Sequence, residues 1–338
     1  MGIKAFITGV AGTSLSDEER SFIDHEHPWG LILFARNIEE PRQVHRLVDE
    51  FRESVGRGNA PVLIDQEGGR VQRLCPPHWE AYATARQLGD LWRHDPAAGE
   101  EAIRLHSRLI AFDLLNLGIN VDCLPVLDVP VEGSHDIIGD RAYSSNPQEV
   151  AAMGRMACEG LLAGGVLPVV KHIPGHGRAS TDSHLELPEV HAGHDALSAT
   201  DFAPFKALAD MPLAMTAHVR FHALDREHPA TVSQSIITAI IRGEIGFDGL
   251  LMSDDLSMQA LEGTLADRTE ASIGAGCDMV LHCNGDMREM TEVASVCPVL
   301  EGRALERAEN AEALLVESGE IDVDAARARY RDLLEPAV

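Results

Sequence analysis

Eight short, apolar, β-branched runs recur along this 338-residue chain, and most are followed by a segment of helical period. They read as strands over Ile3–Thr8, Gly30–Phe34, Val62–Asp65, Ile119–Asp128, Val166–Lys171, Leu213–His218, Leu250–Asp254 and Met279–Cys283. The runs are near-continuous rather than alternating, which is the pattern of parallel strands covered on both faces. Eight such strands with helices between them is the count of an α/β fold, the (β/α)8 TIM barrel. An open doubly wound sheet would instead place a glycine-rich phosphate turn after its first strand. Gly9-Val10-Ala11-Gly12 is too short a match to G-x-G-x-x-G to support that.

The intervening segments carry helix signals. Ser16-Asp17-Glu18-Glu19 is a capping box. Pro41 suits a first helical position, with Val44, Leu47, Val48 and Phe51 spaced as one helical face behind it. Ala97–Leu117 is long and amphipathic, and Asn146-Pro147 opens a helix running to Leu162. Further helices are expected over Ala203–Ala209, Ser235–Arg242 and Asp267–Ala275. No linker or charge run marks a second domain. The expectation is a single barrel domain over 1–338, with a C-terminal helix near 320–335 on its outside.

Composition narrows the partners. Acidic residues outnumber basic ones 54 to 28, for a net charge of -26, so the surface repels nucleic acid and anionic membrane. MGIKAFITGV lacks the length and cleavage site of a signal peptide, and no run approaches the ~20 apolar residues of a membrane span. The six cysteines are scattered without C-x-x-C spacing and read as free, mostly buried thiols of a reducing cytoplasm.

Polar residues fall at the strand ends. Asp65 ends the third strand, Asp128 the fourth, Lys171 and His172 the fifth, His218 the sixth, Asp254 and Asp255 the seventh, and Asn284 follows the eighth. In a barrel those C-terminal ends converge on one face, where active sites lie. Lys171–His184 (KHIPGHGRASTDSH) concentrates one lysine, three histidines, an arginine and an aspartate in fourteen residues, although the chain has only three lysines. A carboxylate at Asp254, backed by Leu250, Leu251 and Met252, can attack a carbon or stabilise a cationic transition state. Asp182 and His184 form an Asp–His couple that can serve as acid and base near neutral pH. By itself this logic only suggests glycosyl transfer.

Four motifs in order sharpen it: Asp65–Arg73 (DQEGGRVQR), Lys171–Gly177 (KHIPGHG), Asp182–Leu185 (DSHL) and Met252–Met258 (MSDDLSM). With Gly30–Asn37 and Gly243–Gly249, they resemble the signature of glycoside hydrolase family 3. More narrowly, they resemble the bacterial β-N-acetylhexosaminidases of cell-wall recycling. The resemblance implies Asp254 as the nucleophile of a covalent intermediate and His184, oriented by Asp182, as the acid/base. It also implies Asp65, Arg73, Arg141, Lys171 and His172 as the residues holding N-acetylglucosamine. It further implies a cytoplasmic, retaining exo-β-N-acetylglucosaminidase without metal or organic cofactor. Its substrate would be N-acetylglucosaminyl-β-1,4-anhydro-N-acetylmuramic acid, with or without a stem peptide. A monomer is favoured, and no room remains for the second sandwich domain of some members.

Asp255 is expected to be structural, at a helix start. Arg70 is expected to pair with a neighbouring acid, His176 to brace its loop and Met258 to belong to the core; His218 could lie behind the site or orient Asp254. His25, His27, His191 and His194 carry no motif and read as surface residues. Three other readings compete. A metal-dependent barrel hydrolase would need an H-x-H at the first strand, where Ile7-Thr8-Gly9 stands. A catalytically silent sugar-binding barrel does not explain Asp254 with the Asp182/His184 couple. Phosphorolysis in place of hydrolysis stays open.

Overall fold

In the computed structural model the described residues are 2–179, 181, 183, 186–315 and 319–335. Eight parallel strands close into a barrel: β1 (Lys4–Thr8), β2 (Pro28–Leu33), β3 (Val62–Ile64), β4 (Val121–Asp122), β5 (Leu167–Ile173), β6 (Leu213–Thr216), β7 (Leu250–Asp255) and β8 (Met279–His282). Each pairs with its neighbours in sequence, and closure comes from β1 against β8, with Ile7 opposite Leu281. Every residue of β2, β3, β5, β6 and β8 is buried. Strands sealed on both faces are why the runs were apolar throughout.

The fourth run departs from the expectation of one strand over Ile119–Asp128. Its ladder stops at Asp122 and returns only as a bridge between Val126 and Lys171. Pro125 interrupts it, because a proline has no N–H to give the ladder.

The helices start where their caps say. The Ser16–Glu19 box is formed in both directions, and Asn146 Oδ1 accepts from the backbone N–H groups of Gln148 and Glu149. The helix Pro41–Val55 buries Val44, Leu47, Val48 and Phe51 and ends at Gly56 in a left-handed cap. Four helices lay outside the sequence reading: Ala85–His94, His194–Ala199, Met287–Val296 and Gly302–Glu312. The first opens on a Thr84–Gln87 capping box, but Gly89 interrupts its pattern. That glycine is needed for close approach, since a Cβ there would lie 1.9 Å from the Tyr143 carbonyl oxygen. The last helix, Val323–Leu334, packs outside the barrel on the helix Pro96–Leu115. Arg327 pairs there with Asp113, and the Tyr330 hydroxyl bonds His106 at 2.8 Å. Among the described residues, no helix is long and apolar enough to cross a membrane.

Candidate active site

The strand ends meet at one polar pocket at the C-terminal mouth of the barrel. Asp65, Arg73, Arg141, Lys171, His172 and Asp254 all line it. Six of the eight residues singled out from sequence are thereby brought together. The other two, Asp182 and His184, lie outside the described residues; Ser183 between them lines the pocket.

A tight hairpin carries the first part. Asp65 follows β3, and the chain reverses through Gly68 and Gly69, both at positive φ (95° and 57°), into a short antiparallel pair of Gln66–Gly68 with Val71–Gln72. A Cβ on Gly68 would meet the Ala83 carbonyl oxygen at 2.3 Å, so glycine is required there. Gln66 pins the hairpin by accepting from the Arg73 and Leu74 N–H groups. Arg73 thus returns to Asp65, with Nη2 3.0 Å from Oδ2.

Lys171, on β5, reaches the other oxygen of Asp65 at 2.9 Å and Oε1 of Glu67 at 2.7 Å. Glu67 in turn receives a two-pronged contact from Arg141, Nε and Nη2 each at 2.8 Å. Two carboxylates and three cations form one array, with Glu67 and Lys171 buried and Asp65, Arg73 and Arg141 partly so. Burial alone would raise the carboxyl pKa values. Lys171 and Arg73 outweigh it at Asp65, which is held well below the usual carboxylate range. Arg141 and Lys171 do the same at Glu67, lowered to about 2. Burial would lower Lys171, but Asp65 and Glu67 raise it above its ordinary value. The array is therefore ionised at neutral pH and offers both acceptor and donors to sugar hydroxyls.

Asp128, fully buried, organises the loop after β5. Its carboxylate accepts from His172 Nδ1 at 2.7 Å and from the backbone N–H groups of His172 and His176. Burial would raise its pKa, but His172 opposite keeps it low. A carboxylate can only accept, so Nδ1 of His172 carries the proton and Nε2 is the ring's other polar atom. His176 braces the loop as expected, its Nε2 3.2 Å from Ser183 Oγ. Burial lowers its pKa to about 4, so it is neutral at pH 7.

At β7, Asp254 Oδ1 accepts from the Asp255 N–H at 2.8 Å. Asp255 lines the pocket beside Asp254, and its setting differs from the expected helix start: the next helix begins at Leu265. Its carboxylate instead accepts from the N–H groups of Ser257 and Cys283, fastening the end of β7 to the residue after β8. His218 acts on the backbone at the end of β7. It lies between Thr231 Oγ1 (2.7 Å from Nδ1) and the Asp255 carbonyl oxygen (3.0 Å from Nε2). A carbonyl only accepts, so Nε2 donates and holds the backbone beside Asp254. Arg70 pairs with Asp140 at 2.8 Å, as expected. Met258 is buried yet also lines the pocket, so it is not core alone.

Glu67 received no role from sequence, although it stands in a quoted motif. Its spacing of two from Asp65, in extended chain, was the available signal. Glu67→Gln is expected to cost about 3–5 kcal/mol in denaturant unfolding, because it removes the counter-charge of Arg141 and leaves Lys171 with Asp65 alone. The deficit should be constant above roughly pH 5 and should shrink as pH falls from the unfolded carboxyl value, ~4.3, through about 2. The sign follows because a carboxyl lowered by folding stabilises only while it stays ionised. A pH-independent loss below 1 kcal/mol would show that Glu67 does not balance the array.

Comparison with known proteins places this geometry in context. The family model described as "Glycosyl hydrolase family 3 N terminal domain" matches residues 5–313. A β-hexosaminidase of Alkalilimnicola ehrlichii is 40% identical over 280 residues, covering 82% of this chain and 79% of the relative. A β-hexosaminidase of Xanthomonas euvesicatoria pv. vesicatoria is 37% identical over 308 residues, covering 89% of both. The crystal structure of NagZ from Neisseria gonorrhoeae in complex with N-trifluoroacetyl-D-glucosamine superposes with a TM-score of 0.89 at 31% identity, covering 99% of both chains.

Proposed function

Because the chain belongs to glycosyl hydrolase family 3 and is a glycoside hydrolase of the β-hexosaminidase type, we propose that it is a retaining exo-β-N-acetylglucosaminidase of peptidoglycan fragments. It would act as one barrel domain in the cytoplasm. It would remove the terminal sugar of N-acetylglucosaminyl-β-1,4-anhydro-N-acetylmuramic acid, with or without a stem peptide. The observation that carries this reading is the position of Asp254, on an anchored strand end, facing the same pocket as the charged array of Asp65, Arg73 and Lys171. A relative bound to a glucosamine derivative supports the sugar class.

Asp65 accepts hydrogen bonds from the sugar hydroxyls while Lys171, Arg73, Arg141 and His172 donate to them. That grip sets C1 against Asp254. The Asp254 carboxylate attacks C1, and the glycosidic oxygen leaves with a proton from His184, whose ring Asp182 orients. Water, deprotonated by the same imidazole, then attacks C1 from the opposite face and frees the sugar with its β configuration retained.

The test is incubation with the anhydro-disaccharide in phosphate buffer. The expected product is free N-acetylglucosamine. Failure to cleave it, with hydrolysis of other β-hexosaminides intact, would remove the peptidoglycan assignment. Accumulation of the sugar 1-phosphate would replace hydrolysis with phosphorolysis.

A further inference from the structure

A second cluster of ligating groups lies away from the barrel mouth, on the short parallel pair of Glu189–Val190 with Arg220–Phe221. Arg220 stands opposite Glu189 and Phe221 opposite Val190, and the His222 N–H continues the ladder to the Val190 carbonyl at 3.0 Å. Alternation buries Val190 and Phe221 in the core. It leaves Glu189, His191, Arg220 and His222 together on the opposite, partly exposed face.

On that face the rings of His191 and His222 stack, with centroids 4.2 Å apart and planes at 29°. Their Nε2 atoms lie 3.8 and 3.2 Å from the same oxygen, Glu189 Oε2. One ligand atom from each of the three residues falls within 4.8 Å of the others. The His222 Nε2 atom is shielded from solvent and makes no hydrogen bond among the described residues. The other oxygen of Glu189 is held by Arg220 at 2.9 Å.

We propose that Glu189, His191 and His222 bind one divalent transition-metal ion, with Zn²⁺ as the fitting probe. Two neutral imidazoles and a carboxylate are the ligand types that Zn²⁺ takes. With metal–nitrogen distances of about 2.0–2.1 Å, tetrahedral ligand atoms stand roughly 3.3 Å apart, which small side-chain rotations reach from the present spacing. Arg220 plays the part of the outer partner that orients a ligating carboxylate. Ca²⁺ and Mg²⁺ do not fit, because they demand oxygen ligands. None of the three residues lines the pocket of Asp254, so the ion takes no part in glycosyl transfer. Its role is structural: it ties the strand beyond the β5 loop to the strand beyond β6.

The test is calorimetric titration of the chelator-treated full chain with ZnCl2, accompanied by thermal unfolding with and without the ion. The expected result is one ion per chain and a higher unfolding temperature. His191→Gln and the His191→Gln/His222→Gln pair should weaken binding by more than the roughly 10–100-fold that loss of an outer-shell partner costs. Asp254→Asn should bind as the wild type does. His191 is largely exposed, so His191→Gln should unfold at the wild-type temperature when metal-free. Unchanged affinity in both histidine variants would overturn the proposal, as would no binding by the wild type. Loss of binding in Asp254→Asn would overturn it too, by moving the ion to the barrel mouth.

Discussion

Asp254→Ala is expected to lower kcat on a chromogenic N-acetyl-β-glucosaminide by on the order of 10⁴–10⁶-fold, the scale of removing a covalent nucleophile from a hydrolase. The argument begins with rigidity. Asp254 stands next to last in β7, and the strand end beyond it is held three ways. Asp255 accepts from Ser257 and Cys283, its carbonyl accepts from His218, and its own N–H fixes one Asp254 oxygen. A carboxylate so held has little freedom to lose on reaching the reacting carbon. The substitution shortens a side chain at the pocket wall and removes the one bond from the Asp255 N–H, but the contacts of Asp255 with Ser257, Cys283 and His218 remain, so the protein should unfold close to where the wild type does. A fall of less than about tenfold, in a folded variant, would show that another group attacks the sugar.

The second large effect concerns the leaving group. His184→Ala should slow cleavage of the natural disaccharide more than cleavage of an activated aryl glycoside, by ~10²–10⁴-fold, the range of general acid–base catalysis. An aryl oxide of low basicity leaves without a proton; a sugar alkoxide does not. Asp182→Asn should act in the same direction but less, since the imidazole remains but is poorly oriented and less basic. If the pair merely shaped its loop, each variant would slow both substrates by one common factor. Equal factors would therefore refute the dyad.

Much of this arrangement could be read from the chain. The barrel was legible because parallel strands sealed on both faces leave long apolar runs, and ionisable residues at their ends mark the mouth. Asp65, Lys171 and His172 were found that way, and the structure brings them to one pocket. What escaped depends on contacts between distant segments. Glu67 binds Lys171 and Arg141, each more than seventy residues away, and its own neighbourhood says nothing of either. Likewise the part played by His218 rests on a carbonyl thirty-seven residues on. His191 read as a surface residue and His222 drew no reading, until the register of two two-residue strands set them side by side. The helix Ala85–His94 was hidden by Gly89, whose role is to let Tyr143 approach.

The central claim is that the sugar passes through a covalent bond to Asp254. Its most direct test is peptide mapping by mass spectrometry after inactivation with a fluorinated N-acetylglucosaminyl donor that forms the intermediate but releases it slowly. The account predicts a single labelled peptide, with the added sugar mass on Asp254. A label on Asp255 or on any other residue would contradict it.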